Sequence, residues 1–203
     1  MSSPGWPAQL RDGNVVLRPL RLRDAAAWTE VRLANERWLA PWEATKPGVA
    51  WPERHGPGTF APMLRALRRQ ARNGTAMPFF ITVDGVLSGQ VTLGPIVRGA
   101  MNSAAVGYWV DERVAGRGVM PTALALLVDH SFGMGGLHRV AADIRPENTA
   151  SRRVVEKLGF REEGLHRRLL HIDGAYRDHL TFAVTAEDVP EGMLRRWRSV
   201  RRA

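Results

Sequence analysis

The chain has 203 residues, with 29 Lys plus Arg against 20 Asp plus Glu, a formal charge of +9 and no cysteine. A chain of this length buries roughly 70% of its unfolded surface on folding, enough for one domain with a real core. Without cysteine there is no disulfide framework, thiolate nucleophile, cysteine zinc site or iron–sulfur cluster, so the chemistry belongs to oxygen and nitrogen groups. The longest nearly apolar run, Val119 to Val128, contains Pro121 and Thr122 and ends at Asp129, far short of the ~20 residues of a membrane span. The first residues carry no basic region ahead of an apolar stretch, so a cytoplasmic location without membrane contact is expected. The basic excess is 27 Arg and only two Lys. It suits a nucleic acid and a small phosphorylated cofactor equally, and by itself selects neither.

In chain order, Asn14 to Leu20 alternates as a first strand, and Asp24 opens a helical pattern that runs to about Ala40. From Pro41 to Pro62 prolines, glycines and tryptophans crowd together. That stretch is predicted to be a long loop without helix or strand, of the kind that forms a lid or binding loop. Phe60 to Arg72 is a basic amphipathic helix ending at Asn73-Gly74. Met77 to Val83 and Val86 to Val97 form a hairpin around Asp84-Gly85, and Ala104 to Val110 extends it into an antiparallel meander. A helix follows from about Arg117 to Phe132, with Pro121 in its permitted first turn. His138 to Ile144 is a strand and Asn148 to Leu158 a helix. Arg161 to Ile172 and Ala175 to Val184 are long strands joined at Asp173-Gly174, and Glu187 to Ser199 is a helical tail. The pattern describes one α/β domain of roughly seven strands.

Two segments carry chemistry. Tyr108 to Met120, YWVDERVAGRGVM, is a strand ending in a glycine-bearing loop that opens a helix. Glycines at 116 and 118 let backbone amides approach a ligand, and the helix start adds unpaired N–H groups and a positive dipole end. This is an anion cradle or, read plainly, a tight strand-to-helix turn. The third glycine of the dinucleotide fingerprint and the Lys-Ser/Thr of the Walker loop are both missing. The second segment, Pro146 to Phe160, sets Asn148 and Ser151 at another helix start, where each taken singly is an N-cap or a first-turn polar residue.

Together, Arg113-x-x-Gly116-x-Gly118, Asn148-x-x-Ser151 and Leu158-Gly159-Phe160 resemble the GNAT superfamily of acyl-CoA-dependent N-acyltransferases. The order of elements from about Asn14 to Val184 is similar to that fold over nearly the whole chain. The resemblance implies a single N-acetyltransferase domain over residues 1–203, α/β of the α+β type, with a central mixed, mostly antiparallel sheet flanked by helices. Its core covers about 14–184 and a basic helical tail about 187–203. A narrower resemblance, to the bacterial ribosomal-protein-alanine N-acetyltransferases, lies in Pro41-Trp42-Glu43, Ile96-Val97-Arg98-Gly99, and Ile172-Asp173-Gly174 followed by Arg177-Asp178-His179.

The resemblance implies acetyl-CoA as co-substrate, no metal, and acetyl transfer to the α-amine of a protein N-terminus. It implies that Trp109 and Val110 offer backbone groups to the pantetheine arm, that Arg113, Gly116, Arg117 and Gly118 surround the pyrophosphate, and that Asn148 holds the pantetheine amides. The N–H of Val110 is the implied oxyanion donor. Many GNAT enzymes place a tyrosine acid where this chain has Val155, so Ser151, the position used in the ribosomal-protein subgroup, is the expected proton donor to the thiolate.

An α-amine with a pKa of ~8 is already partly neutral near pH 7.5 and needs little base. Glu43 and Glu112 are the candidates for binding the amine or passing its proton through water; each also reads as an exposed loop carboxylate, the favoured reading for Glu112 and an equal one for Glu43. Tyr108 and Tyr176 are expected in the strand core, and His171 and His179 mark the closing hairpin. The expected partner is a protein N-terminus, a ribosomal protein among the options, with no sequence-specific nucleic acid and no membrane. The chain is expected to be a monomer or homodimer. Two rivals stand beside this reading: an acetyltransferase of a small amine such as an antibiotic or polyamine, and a non-catalytic CoA-binding or ribosome-associated module.

Overall fold

The structure, a computed structural model, describes residues 4–45 and 47–202. Lys46 in the predicted loop and Ala203 at the end of the predicted tail lie outside the described residues. Strands β1 (Leu10–Asp12), β2 (Val15–Pro19), β3 (Met77–Val83), β4 (Val86–Val97), β5 (Ser103–Val110), β6 (Arg139–Ile144), β7 (Arg161–Ile172) and β8 (Ala175–Thr185) form one sheet in the order β1-β2-β3-β4-β5-β6-β8-β7. The sheet is mixed, with every neighbouring pair antiparallel except β5 and β6. The strand beyond the expected seven is β1, which pairs Leu10 with Leu17 of β2. Three residues carry no readable alternation, which is why the sequence pattern omits it.

Among the described residues, seven helices cover the two faces: α1 (Ala25–Ala34), α2 (Glu36–Leu39), α3 (Trp51–His55), α4 (Phe60–Arg72), α5 (Val119–Phe132), α6 (Thr149–Lys157) and α7 (Met193–Arg202). The nearly continuous apolar run of β3 reflects a strand buried on both sides. Met77, Phe79 and Ile81 join the core that includes Leu124 and Val128 of α5, while Phe80 packs with Trp28, Phe60 and Leu64.

Three expectations are corrected. The helix predicted from Asp24 to Ala40 breaks at Asn35, whose backbone (φ −104°, ψ 18°) separates α1 from α2. Its amide donates to the Val31 carbonyl at 2.9 Å and to Asp111 at 3.3 Å, and its carbonyl oxygen accepts the Glu112 N–H at 2.9 Å. The side chain thereby ties the helix break to the end of β5. The loop from Pro41 to Pro62 contains α3 and the start of α4. Pro52 is tolerated because it falls in the first turn of α3, where its missing N–H has no intrahelical partner to lose. The tail helix begins at Met193, and Glu187 lies in a short 3-10 turn before it.

The tail braces α5. The Met193 and Leu194 amides, at the start of α7, donate to the Asp129 carboxylate of α5 at 2.5 and 2.9 Å. Trp197 is buried at 5% exposure and its indole N–H donates to Thr122 at 2.8 Å. Among the described residues, no helix is long and apolar enough to cross a membrane.

Candidate active site

The site begins where the parallel pair opens. β5 and β6 are paired only from Ser103–Arg139 to Ala105–Ala141. Beyond that, β5 follows β4 and β6 follows β8, and a cavity of about 410 Å³ lies in the gap, reaching Tyr108, Asp143, Asn148 and Ser151. On β5 the ladder itself decides which backbone groups face the gap. Val110 stands opposite Gly89, and the Asp111 N–H donates to the Ser88 carbonyl at 2.8 Å. Because backbone groups alternate along a strand, Trp109 turns its N–H and C=O toward Gln90, and Tyr108 and Val110 present theirs to the gap. Trp109 lines the cavity, but its backbone groups are turned toward β4 and not toward the gap where the resemblance would have them. The Val110 carbonyl accepts from the Trp38 indole at 3.0 Å.

Past β5 the chain makes a 3-10 turn over Glu112–Val114 and enters α5 through Gly116 (φ +75°) and Gly118 (φ +79°). Among the described residues, the amides of 116–120 find no hydrogen-bond acceptor, since the first bond of this helix start is Thr122 N–H to the Gly118 carbonyl at 3.1 Å. Pro121 contributes no N–H at all. The result is a row of five open donors at the positive end of a 14-residue helix, which fits a diphosphate. Gly118 is required for its left-handed φ and because a Cβ there would lie 3.2 Å from the Trp197 ring. Arg117 is exposed beside this row. The Arg113 guanidinium turns back onto Asp111, with its Nε 2.9 Å and its Nη2 2.5 Å from the carboxylate. Burial pushes Asp111 up, but hydrogen bonds from Arg113 and Asn35 outweigh it and hold the carboxyl below its usual range.

Asn148 caps α6. Its side-chain carbonyl accepts the Ser151 N–H at 3.0 Å, and both residues line the cavity. The Ser151 hydroxyl lies 2.7 Å from the Tyr108 phenol. Tyr108 packs against the core from its strand, as expected, and also lines the cavity. Burial pushes its phenol up to about 12, more than the Ser151 hydrogen bond lowers it, so it keeps its proton at neutral pH. Val155, where a tyrosine acid is usual, is fully buried in the core.

The stretch after α2 roofs the cavity. Thr45 bonds to His171 through backbone (2.7 Å) and side chain (2.6 Å), and Arg145 donates to the Pro41 carbonyl at 2.7 Å. Glu43 lies inside an arginine cage. It pairs with Arg32, with Arg54 at 2.5 Å and with His55 at 3.0 Å. Burial acts to raise the Glu43 carboxyl, but the His55 hydrogen bond and the Arg32 charge outweigh it and hold it at about 2. A carboxyl that acidic is a poor proton acceptor at pH 7, so the arrangement favours an anchoring role for Glu43. Glu112 is exposed, as expected. His179 is 2% exposed and lines the cavity; its Nδ1–H donates to the Arg177 carbonyl at 3.0 Å, leaving Nε2 as the ring's acceptor.

A splayed parallel pair, a glycine-lined row of open amides and a roofed cleft between them define an acyl-CoA-dependent N-acetyltransferase. The chain belongs to the GNAT acetyltransferase family, whose acetyltransferase (GNAT) domain matches residues 14–161. It is similar to the structure of Mycobacterium smegmatis RimJ in complex with CoA-disulfide, with 45% identity, a TM-score of 0.93 and 98% of each chain covered. It is 28% identical to the [ribosomal protein uS5]-alanine N-acetyltransferase of Escherichia coli over 91% of this chain and 94% of that protein. A stretch of 109 residues is 40% identical to the "Probable N-acetyltransferase YjcK" of Bacillus subtilis, covering 54% of this chain and 60% of that protein.

Proposed function

We propose that this protein acetylates the α-amine of a protein N-terminus, a ribosomal protein being the class of acceptor its relatives' names favour. The observation that carries the reading is the row of open amides at residues 116–120 leading into a cleft that contains the Tyr108–Ser151 pair. Acetyl-CoA, when bound, supplies an activated thioester carbonyl and a leaving thiolate whose free thiol has a pKa of ~8.5.

The chain's own groups fill the remaining roles. The amides of residues 116–120, with Arg117 and Arg113 beside them, hold phosphate oxygens. The side-chain N–H groups of Asn148 and the gap-facing edge of Tyr108 and Val110 hold the pantetheine amides. The Val110 N–H faces the place where the carbonyl oxygen gains charge. The Ser151 hydroxyl gives a proton to the thiolate while taking one from the Tyr108 phenol, and Tyr108 regains a proton from solvent, to which the amine's proton is finally released. The amine loses its proton to the Nε2 of His179 or to water, while Glu43 anchors the roof. An α-amine suits such a site because it is partly neutral at working pH, whereas a lysine at ~10.4 is not.

The test is acetyl-CoA turnover with purified protein against a panel of N-terminal peptides and a panel of small amines. Mass spectrometry of cellular N-termini with and without the gene identifies the acceptor. Exclusive turnover of small amines removes the reading.

A further inference from the structure

Helix α4 buries one face and leaves the opposite one basic. Phe60, Leu64 and Ala71 are buried, whereas Arg65, Arg68, Arg69 and Arg72 are exposed. Their spacing of three and four residues sets the four side chains in one stripe along the outer face. The stretch from Phe60 to Arg72 contains no Asp or Glu. Among the described residues, none of the four guanidiniums forms an ion pair. Arg68 donates instead to the Leu20 carbonyl at 3.3 Å. That bond lays α4 against the segment ahead of α1, where Arg21 and Arg23 are exposed and likewise form no ion pair. The one carboxylate of that segment, Asp24, is taken by Arg18 through two bonds of 2.8 Å.

For the chain alone this arrangement is unfavourable. Like charges three and four residues apart on a helix repel, and only Arg69 and Arg72 gain from a place in the last turn. A polyanion laid along the stripe removes the repulsion, and its class follows from the surroundings. The stripe runs about 10 Å along the helix axis, long enough to meet more than one phosphate of a nucleic-acid strand. Guanidiniums suit phosphates because they offer paired N–H donors. A protein partner calls for an apolar centre to the patch, yet Leu22 is the only large apolar side chain exposed in these two segments. A membrane calls for an apolar helix face free to insert, and that of α4 is already packed against Trp28 and Phe80. Met63 of the same helix lines the cleft, so the stripe lies on the back of a cleft wall.

We propose that the outer face of α4, with Arg21 and Arg23 beside it, docks the phosphate backbone of a folded RNA without reading its sequence. The choice of RNA over DNA rests on the ribosomal-acceptor reading, since such an acceptor is carried on RNA. The phosphate contacts themselves do not depend on that reading.

The experiment titrates the full-length protein into a labelled RNA duplex of about 20 base pairs and follows fluorescence anisotropy at several salt concentrations. Affinity should fall with added salt, the log–log slope growing by about 0.7–0.9 for each arginine–phosphate contact. Arg65→Gln/Arg69→Gln should weaken binding by at least about tenfold at ~0.1 M salt and lower the slope by about two. Glutamine keeps the helix propensity and removes the repulsion, so this variant should fold. CoA affinity within twofold of the parent reports that it does. Arg167→Gln/Arg168→Gln removes the same charge from exposed positions on β7. It should change affinity by less than about threefold and leave the slope as it was.

Absence of duplex binding at ~50 mM salt, or equal losses in the two double variants, overturns the docking surface. Tighter binding to polyglutamate, to vesicles containing phosphatidylserine or to a DNA duplex of the same sequence overturns the assignment to RNA. None of these titrations contains an acceptor amine, so their outcome is separate from that of the acceptor panel. Turnover of small amines alone removes the ribosomal-acceptor reading, and the stripe then stands or falls on the duplex titrations.

Discussion

The Tyr108 phenol on β5 and the Ser151 hydroxyl on α6 lie 2.7 Å apart across the open end of the parallel pair, 43 positions from each other in the chain. Neither residue alone is a strong acid. The buried phenol holds its proton up to about 12, so under the proposed mechanism the pair works by position, with Ser151 passing the proton and Tyr108 behind it. Ser151→Ala should lower kcat by about a hundredfold, the lower range for a positioned proton donor. Tyr108→Phe should lower it by about tenfold. CoA affinity should change little in either variant. Single-turnover kinetics on the two variants check the order of the effects, and an unchanged kcat in Ser151→Ala removes the proton-donor assignment.

His179 keeps its Nε2 as an acceptor because Nδ1–H is committed to the Arg177 carbonyl. His179→Gln should lower kcat/KM for an N-terminal peptide by about tenfold, a modest loss because an α-amine is already partly neutral. CoA binding should persist. A change below twofold assigns the amine's proton to water.

Gly118 combines a φ of +79° with the Trp197 ring at 3.2 Å from the position of a Cβ. Gly118→Ala should cost about 1–2 kcal/mol of stability from the backbone alone. It should also weaken CoA binding, because relief of the strain moves the open amides of the helix start. Thermal unfolding and calorimetry with CoA measure the two effects separately.

Glu43 titrates in the folded chain at about 2 against its usual 4.5. As pH falls, the unfolded chain takes up this proton first. The contribution of Glu43 to stability is therefore complete above about pH 4.5 and is lost as pH falls toward 2. Glu43→Gln should destabilise the protein by about 3 kcal/mol at pH 7, since it leaves Arg32 without its counter-charge. The gap between parent and variant should shrink between pH 5 and pH 3 in urea unfolding, at about the rate this linkage predicts. The shape of the pH–rate profile between pH 6 and 8 should be the same in both, because a carboxyl that titrates at about 2 does not change charge in that range.

Trp197 joins α7 to α5 through its buried ring and its bond to Thr122. Trp197→Ala should cost about 3–5 kcal/mol, the usual loss for truncating a buried aromatic. CoA affinity should fall with it, although Trp197 itself does not line the cleft. Denaturant unfolding and calorimetry check both parts.

The elements legible in the sequence are those that short-range chemistry fixes. Asp84-Gly85 and Asp173-Gly174 mark their hairpins because few other residues take the left-handed turn angles found there. The spacing of Gly116 and Gly118 ahead of an apolar helix announces the anion cradle, because the amide row is made by consecutive residues. The Asn148–Ser151 cap is likewise local. The break at Asn35 was not legible, since its cause is Asp111, 76 positions away. Nor was the place of Tyr108: alternation puts its side chain on one face of β5, but only the divergence of β6 and the docking of α6 turn that face into a cleft wall.

The arginine cage follows the same division. Arg32, Glu43, Arg54 and His55 read singly as ordinary helix and loop residues, and it takes the folding of the roof onto α1 to bury them together. By itself the sequence determined seven of the eight strands, the longer helices and the glycine-bearing loop at 116–118, because backbone conformation depends largely on near neighbours. The tertiary structure alone decided which side chains share the cleft and which carboxyl is too acidic to accept a proton, because burial and charge pairing act between residues that meet only after folding.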